Sequence, residues 1–244
     1  MDSALHFDHI ADSYADLRPV FTPVMDSLAR VLALKAGDVV VDYGCGPAHD
    51  LRYLADQYRI HPIAVDKSEG MCRVASSKNG IGRVIQGDSL SCLRDTPFDK
   101  IYFKFVMHHI RRPIDFVDEL VGLLKKGDSF AIVTMLPRHL ESYALLKYFP
   151  GLTPLLTASA LEQQAVFDHL RQNRQISFDC LECDVNEEVF DRSMLHKLEN
   201  NYSSFFAFLT DEEKREGMEK VKKQLDKTDN NKYITKGVIG YGRL

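Results

Sequence analysis

VVVDYGCGPAHD, residues 39–50, runs a β-branched triplet, Val39-Val40-Val41, into an acid, Asp42, and then into a turn carrying Gly44 and Gly46. A short Val-rich run closed by glycine reads as a buried parallel strand, and glycine lets the chain reverse closely over a ligand. The helix-like stretch 51–58 follows at once. A strand, a glycine turn and a helix in that order put the turn at the carboxyl end of the first strand, where open α/β sheets bind nucleotides.

Two ligand classes compete for such a turn. The dinucleotide fingerprint, G-x-G-x-x-G, needs a third glycine so that a helix start can approach a pyrophosphate, and His49 occupies that position. A carboxylate at position 42 also repels phosphate, but it suits a ligand with an ammonium group or another cationic centre. S-adenosylmethionine has both. The stretch resembles the first motif, D/E-x-G-x-G-x-G, of the class I S-adenosylmethionine-dependent methyltransferases: Asp42, Gly44 and Gly46 match, and Ala48 replaces the last glycine at the cost of one methyl group. The resemblance implies a Rossmann-like sheet and S-adenosylmethionine held by Asp42, Gly44, Cys45 and Gly46.

Further stretches are similar to the same family. Residues 7–14 read F-D-x-x-A-x-x-Y and are followed by Arg18-Pro19, a segment that in the family covers the cofactor, with Tyr14 or Arg18 near the methionine moiety. Because positions 7, 10, 11 and 14 share one helical face, Tyr14 equally fits a core-facing aromatic. A second strand, 60–65, ends in Asp66, placed to accept from both ribose hydroxyls. Lys67 to Met71 continues the family's D-x-S-x-x-M, whose residues pack on adenine. After a third strand, 83–86, Gly87-Asp88-Ser89 is similar to the motif in which the aspartate accepts from the adenine amine and the next residue offers its amide; capping of the following turn is the alternative for Asp88.

The fourth strand, 100–103, lies within a stretch resembling F-D-x-I…L-H-H-x-x-x-P, with Phe98-Asp99 before it and His108-His109 and Pro113 after it. Lys104 and Phe105 are counted among the cofactor-binding residues. Imidazoles titrate near neutrality, so paired histidines at a strand mouth are candidate general bases. His108 and Tyr14 are the catalytic candidates, and His109 is assigned a structural hydrogen bond.

Continuing the alternation gives a helix over 114–124, a fifth strand over 129–135, helices over 138–148 and 159–173 separated by Pro150-Gly151 and Pro154, a sixth strand over 175–185 and a seventh over 233–241. The expected architecture is α/β: a seven-stranded, mostly parallel sheet with an antiparallel last strand, helices on both faces and a helical lid. One domain spans 1–244, with an N-terminal helical cap over 1–34 and a lid insertion over 187–230. That insertion is far longer than an ordinary connection and carries Phe190, Leu195, Tyr202, Phe205, Phe206 and Phe208, as a lid over an apolar pocket would. A flexible linker is expected over 226–232.

A net charge of −4 and 45% hydrophobic residues describe a chain able to bury a full core without the basic footprint of a nucleic-acid binder. No membrane-spanning run and no signal-like start are present in the sequence, so a cytoplasmic location is expected. Five cysteines then read as reduced thiols, and Cys180 and Cys183, three apart on a strand, face opposite ways, so no metal site is expected. The resulting expectation is in-line methyl transfer from S-adenosylmethionine to a small-molecule acceptor, by a monomer or homodimer with no nucleic-acid or membrane partner. The absence of an N-P-P-Y tetrapeptide after strand 4 ranks adenine and amide acceptors lower. A cofactor-binding regulator without catalysis, and a methyltransferase acting on a peptide or protein, stand as alternatives.

Overall fold

Val39–Tyr43 forms β1, and Val40 and Val41 are wholly buried because a parallel sheet is covered on both faces. A computed structural model describes residues 3–199, 204–227 and 231–244. Ahead of β1 lie α1 (Ser3–Leu17) and α2 (Thr22–Val31), which Pro23 opens from the first turn, where its missing N–H costs nothing. After β1 the chain alternates through α3 (His49–Tyr58), β2 (His61–Asp66), α4 (Glu69–Ser77), β3 (Val84–Gln86), β4 (Lys100–Lys104), α5 (Pro113–Leu123) and β5 (Ser129–Thr134). These strands are parallel, in the spatial order β3-β2-β1-β4-β5. The order reverses between β1 and β4, which opens a crevice at their carboxyl ends.

The last two strands complete the sheet. Beyond the one-turn α6 (Leu145–Tyr148) and the long α7 (Thr153–Gln172), β6 (Ser177–Phe190) leads through α8 (Arg192–Glu199) and α9 (Asp211–Leu225) to β7 (Asn231–Arg243). β7 inserts between β5 and β6, antiparallel to both. One face of the sheet packs on α5 and α7 through Phe103, Phe116, Phe130 and Phe167, and the other on α2 and α3 through Leu28, Leu32, Leu51 and Leu54. Cys180 joins the first cluster and Cys183 the second, so the two thiols do face opposite ways.

Three expectations for the second half need correction. The helical reading from 187 fails: β6 runs five residues further than 185, because Glu188 pairs with Tyr233 and Phe190 with Asn231, and ladder pairing overrides weak local preference. The insertion therefore begins at 191, not 187. The helix expected over 138–148 is a 3-10 turn, Pro137–Ser142, followed by the single turn of α6. Pro154 does not break the chain; it sits in the first turn of α7, which starts six residues before 159.

The insertion shares a third core with the end of β6 and with the segment around α6. Phe190, Met194, Leu198, Phe206, Leu209 and Val221 pack with Leu145, Phe149 and Leu152, while Phe205 is half-buried and Phe208 is exposed. Tyr202 and part of the expected linker, 228–230, lie outside the described residues. Among the described residues no helix is long and apolar enough to cross a membrane.

Candidate active site

The turn after β1 is shaped by backbone constraint. Gly44 (φ +76°), Gly46 (φ +52°) and Ala48 (φ +62°) are all left-handed. Ala48 bears that conformation at a strain of about 1–2 kcal/mol, which glycine would avoid. Gly44 admits no side chain at all, since a Cβ there would stand 2.2 Å from Val106 Cγ2. The amides of Gly44 and Cys45 donate to Val65 O at 2.8 and 3.0 Å, and Gly46 N–H donates to Asp66 Oδ2 at 2.8 Å. The turn is thereby tied to the end of β2.

Two acids stand at adjacent strand ends. Asp66 also accepts from Ser68 N–H at 2.9 Å; burial raises its pKa, and the two amides counter that rise. Asp42 is 3% exposed, accepts from the Tyr102 hydroxyl at 2.7 Å, and is pushed by burial up to about 8. Across the mouth, Lys104 Nζ pairs with Asp50 Oδ2 at 2.6 Å. Phe105, next along, holds φ +54°, an uncommon conformation for an aromatic residue that is typical of functional turns.

α1 is fastened over this crevice by polar contacts. Asp8 Oδ1 accepts from Ser68 Oγ at 2.6 Å and from Gly70 N at 3.0 Å, and Asp12 bridges Arg73 and Lys78 at 2.6 and 3.0 Å. Gly70 allows the approach, because a Cβ would stand 2.8 Å from Asp8 O. His49 Nε2 meets Ala15 O at 3.0 Å, so the residue that spoils the dinucleotide fingerprint anchors the covering helix instead. Arg18 lies over the Tyr14 ring at 5.1 Å, and Phe7 contacts both Tyr14 and His109 edge-on.

His108 stacks on Phe205 of the insertion, ring centroids 5.1 Å apart, and lies tilted by 45° against His109 at 4.0 Å. Burial holds His108 well below the usual imidazole range, with His109 and Arg18 adding to the effect. His109 is lowered to about 4 by burial and by Lys67. Both imidazoles are therefore neutral at pH 7.

The glycine turn, the two acids, the Lys104–Asp50 pair and the two histidines line one cavity of about 740 Å³. Of the residues expected from sequence, it brings together Tyr14, Arg18, Asp42, Gly44, Cys45, Gly46, Asp66, Lys67, Met71, Asp88, Lys104, Phe105 and His108. Ser89 is not among its walls, and its hydroxyl instead contacts Ser91 Oγ at 2.6 Å. The same cavity is also walled by Met135, Tyr143, Asn186, Glu188, Lys197 and Thr235, none of which sequence reasoning singled out. Asn186, Glu188 and Thr235 reach it through a bulge in β6 between Asp184 and Asn186, after which Asn186 pairs with Thr235. Sequence carries no local signal for that shift. Tyr43, also missed, is an aromatic residue in a Val-rich strand just before the turn, which is a readable if slight signal.

Comparison with known proteins bears on the same region. Residues 41–132, from β1 to β5, match the family model of a methyltransferase domain. Over that stretch the chain is similar to the methyltransferase domain. Among curated relatives, trans-aconitate 2-methyltransferase of Azoarcus sp. is 30% identical over 131 residues, 52% of this chain and 50% of that protein. Demethylmenaquinone methyltransferase of Clavibacter sepedonicus is 25% identical over 182 residues, 69% of this chain and 73% of that protein. The chain spans about half the length of the trans-aconitate methyltransferases it matches. In fold, it superposes on an Anabaena variabilis protein assigned to an antibiotic biosynthesis pathway with a TM-score of 0.68 at 17% identity, covering 91% of this chain and 96% of that one.

The residues of the crevice fit S-adenosylmethionine on structural grounds. The glycine turn has no room for a side chain at Gly44, and a buried carboxyl, Asp42, and a half-buried one, Asp66, line the crevice.

Proposed function

We propose that the chain transfers a methyl group from S-adenosylmethionine to a small-molecule acceptor. One observation carries the reading: a single cavity of about 740 Å³ is lined both by the acids Asp42 and Asp66 and by His108, which burial keeps neutral. The curated relatives act on trans-aconitate and demethylmenaquinone, and a small molecule is the acceptor class they support.

When bound, S-adenosylmethionine supplies an electrophilic methyl group on a sulfonium. Asp66, ordered by the Gly46 and Ser68 amides, would accept from the ribose hydroxyls. Asp42, Tyr14 and Arg18 would hold the methionine end, with Gly44, Cys45 and Gly46 forming the turn beneath it. Lys67, Met71 and Asp88 would hold the adenine end, Ser89 would offer its backbone amide, and Lys104 and Phe105 would complete the wall.

His108 lines the same cavity. As a neutral imidazole in a buried setting it accepts a proton from an acceptor hydroxyl or amine, and its stack on Phe205 fixes the ring. Tyr14 borders the same space. Beyond that, the fold's contribution is alignment and exclusion of water by α1 and the insertion, an effect that reaches about 7–11 kcal/mol in well-oriented systems.

The test has two stages. Calorimetry with S-adenosylhomocysteine comes first, and absence of binding removes the reading. Thermal-shift screening of small molecules in its presence then selects acceptors, which are incubated with isotopically methyl-labelled S-adenosylmethionine. Label in the acceptor is the expected result; binding without label transfer to any selected molecule makes the chain a cofactor binder without catalysis.

A further inference from the structure

His49 opens α3, lines the cavity and ties together three segments that are distant in sequence. Its Nε2 lies 3.0 Å from Ala15 O at the end of α1, and its Nδ1 lies 3.1 Å from Asn79 Oδ1 in the loop between α4 and β3. Asn79 Nδ2 in turn donates to Pro47 O, on the glycine turn, at 2.6 Å. The result is a chain of three hydrogen bonds, from Ala15 through His49 and Asn79 to Pro47, with a carbonyl oxygen at each end.

A neutral imidazole cannot complete that chain. Carbonyls only accept, a neutral ring has one donor and one acceptor nitrogen, and the Asn79 amide turns one atom to each neighbour. If Nε2 donates to Ala15, the bare Nδ1 needs the Asn79 NH2, and turning the amide to supply it sets Asn79 Oδ1 against Pro47 O. If the amide stays and Nδ1 carries the proton, the bare Nε2 faces Ala15 O. Every neutral arrangement forfeits one bond, whichever tautomer or amide orientation is chosen, whereas an imidazolium donates from both nitrogens and completes all three. The end of α1 favours that cation as well, because its last turn carries no basic residue of its own. The positive end of α3 opposes it, and Asp50 in the same turn offsets that. The remaining charges on these elements have partners: Asp8 takes Ser68, Asp12 takes Arg73 and Lys78, Asp16 takes Lys78, Arg52 takes Asp56 and Lys104 takes Asp50.

Resting on the methyltransferase reading above, we propose that His49 is a positioning residue that, as an imidazolium, clamps the end of α1 to the glycine turn and so retains the cofactor beneath the helix. Loss of one proton breaks one link, and imidazoles exchange that proton near neutrality, so the clamp is firm in mild acid and loosens as pH rises. α1 supplies Phe7, Tyr14 and Arg18 to the cavity, which is why its fastening bears on what the cavity holds.

Two measurements on the ligand-free protein test the clamp. In NMR spectra the His49 ring nitrogens, identified by their loss in His49→Gln, should both carry protons in mild acid and share a single proton in mild base. Hydrogen exchange of the α1 amides, corrected for the intrinsic pH dependence of exchange, should show protection falling roughly three- to tenfold across the same interval with the same midpoint, and H49Q should lack that fall. Asn79→Asp, an obligate acceptor that carries charge, should move the midpoint up by about one pH unit or more, which keeps the clamp testable if H49Q folds poorly. With S-adenosylhomocysteine, stopped-flow dissociation should be roughly three- to tenfold faster from H49Q than from wild type in mild acid and similar in mild base. Asp42 is common to both proteins and drops out of that ratio. A fall in protection that persists in H49Q, a midpoint unmoved in N79D, or a dissociation ratio that does not change with pH overturns the proposal. Failure of the wild type to bind S-adenosylhomocysteine refutes the cofactor reading instead, while the NMR and exchange results still decide the clamp.

Discussion

Asp42→Asn puts opposite pressures on stability and on cofactor binding. In the folded protein the Asp42 carboxyl is raised by burial from 3.8 to about 8, so between those values the native state holds a proton that the unfolded chain has lost. Stability must then fall as pH rises across that window, by up to about 1.4 kcal/mol per pH unit, which reaches about 4 kcal/mol at pH 7. Asparagine is nearly isosteric, its carbonyl can still accept from Tyr102, and it cannot ionise. The extra amide N–H it buries takes back about 1–2 kcal/mol. The ligand-free variant should therefore gain about 2 kcal/mol at pH 7 to 8, a melting rise of roughly 4–8 °C, and gain nothing at pH 4. Cofactor binding should move the other way. The ammonium group of the ligand would pair with the ionised carboxylate, so wild-type affinity for S-adenosylhomocysteine should climb with pH up to about 8, and D42N should lose at least about tenfold at pH 8 without that climb. Urea unfolding from pH 4 to 8.5 and calorimetry over pH 6 to 8.5 measure both. A D42N protein that is less stable than wild type at pH 8, or whose affinity keeps the wild-type pH dependence, refutes the assignment.

Gly44→Ala should abolish detectable cofactor binding and cost about 2–4 kcal/mol, because the added Cβ meets Val106 at 2.2 Å in a left-handed backbone; near-normal calorimetry would contradict this. Since His108 stays neutral, kcat/KM should show no histidine limb between pH 6 and 8, and H108Q should lower kcat by about a hundredfold or more for an acceptor that must lose a proton; a wild-type limb near pH 7 that disappears in H108Q would refute the neutral base. Asp8→Ala removes the acceptor shared by Ser68 and Gly70, so it should speed cofactor dissociation about tenfold in stopped-flow while leaving the melting temperature within about 3 °C; unchanged dissociation would show that α1 does not retain the ligand.

The parts legible in the sequence share a property: each is written in residues a few positions apart. Val39 to Gly46 spell a strand and its turn, Asp66 and Asp88 follow later strands, and His108 follows β4. Parallel strands in alternation with helices bring such strand ends to one edge of the sheet, so motifs far apart in the chain converge without any further instruction. The helical reading of Glu187 to Phe190 failed because those residues are polar enough to suit a helix and are extended only through pairing with β7. Pro154 misled because its position relative to the helix start decides whether it breaks a helix or opens one.

By itself the sequence determined the alternation of the first five strands with helices, the glycine turn and the acids at its rim, since turn chemistry and hydrophobic period are local properties of the chain. Only the tertiary structure decided which groups beyond those motifs wall the cavity and how α1 is fastened over it. Those outcomes depend on a one-residue bulge in a long hairpin and on contacts between segments some 60 residues apart, where a single step of register turns every following side chain to the other face.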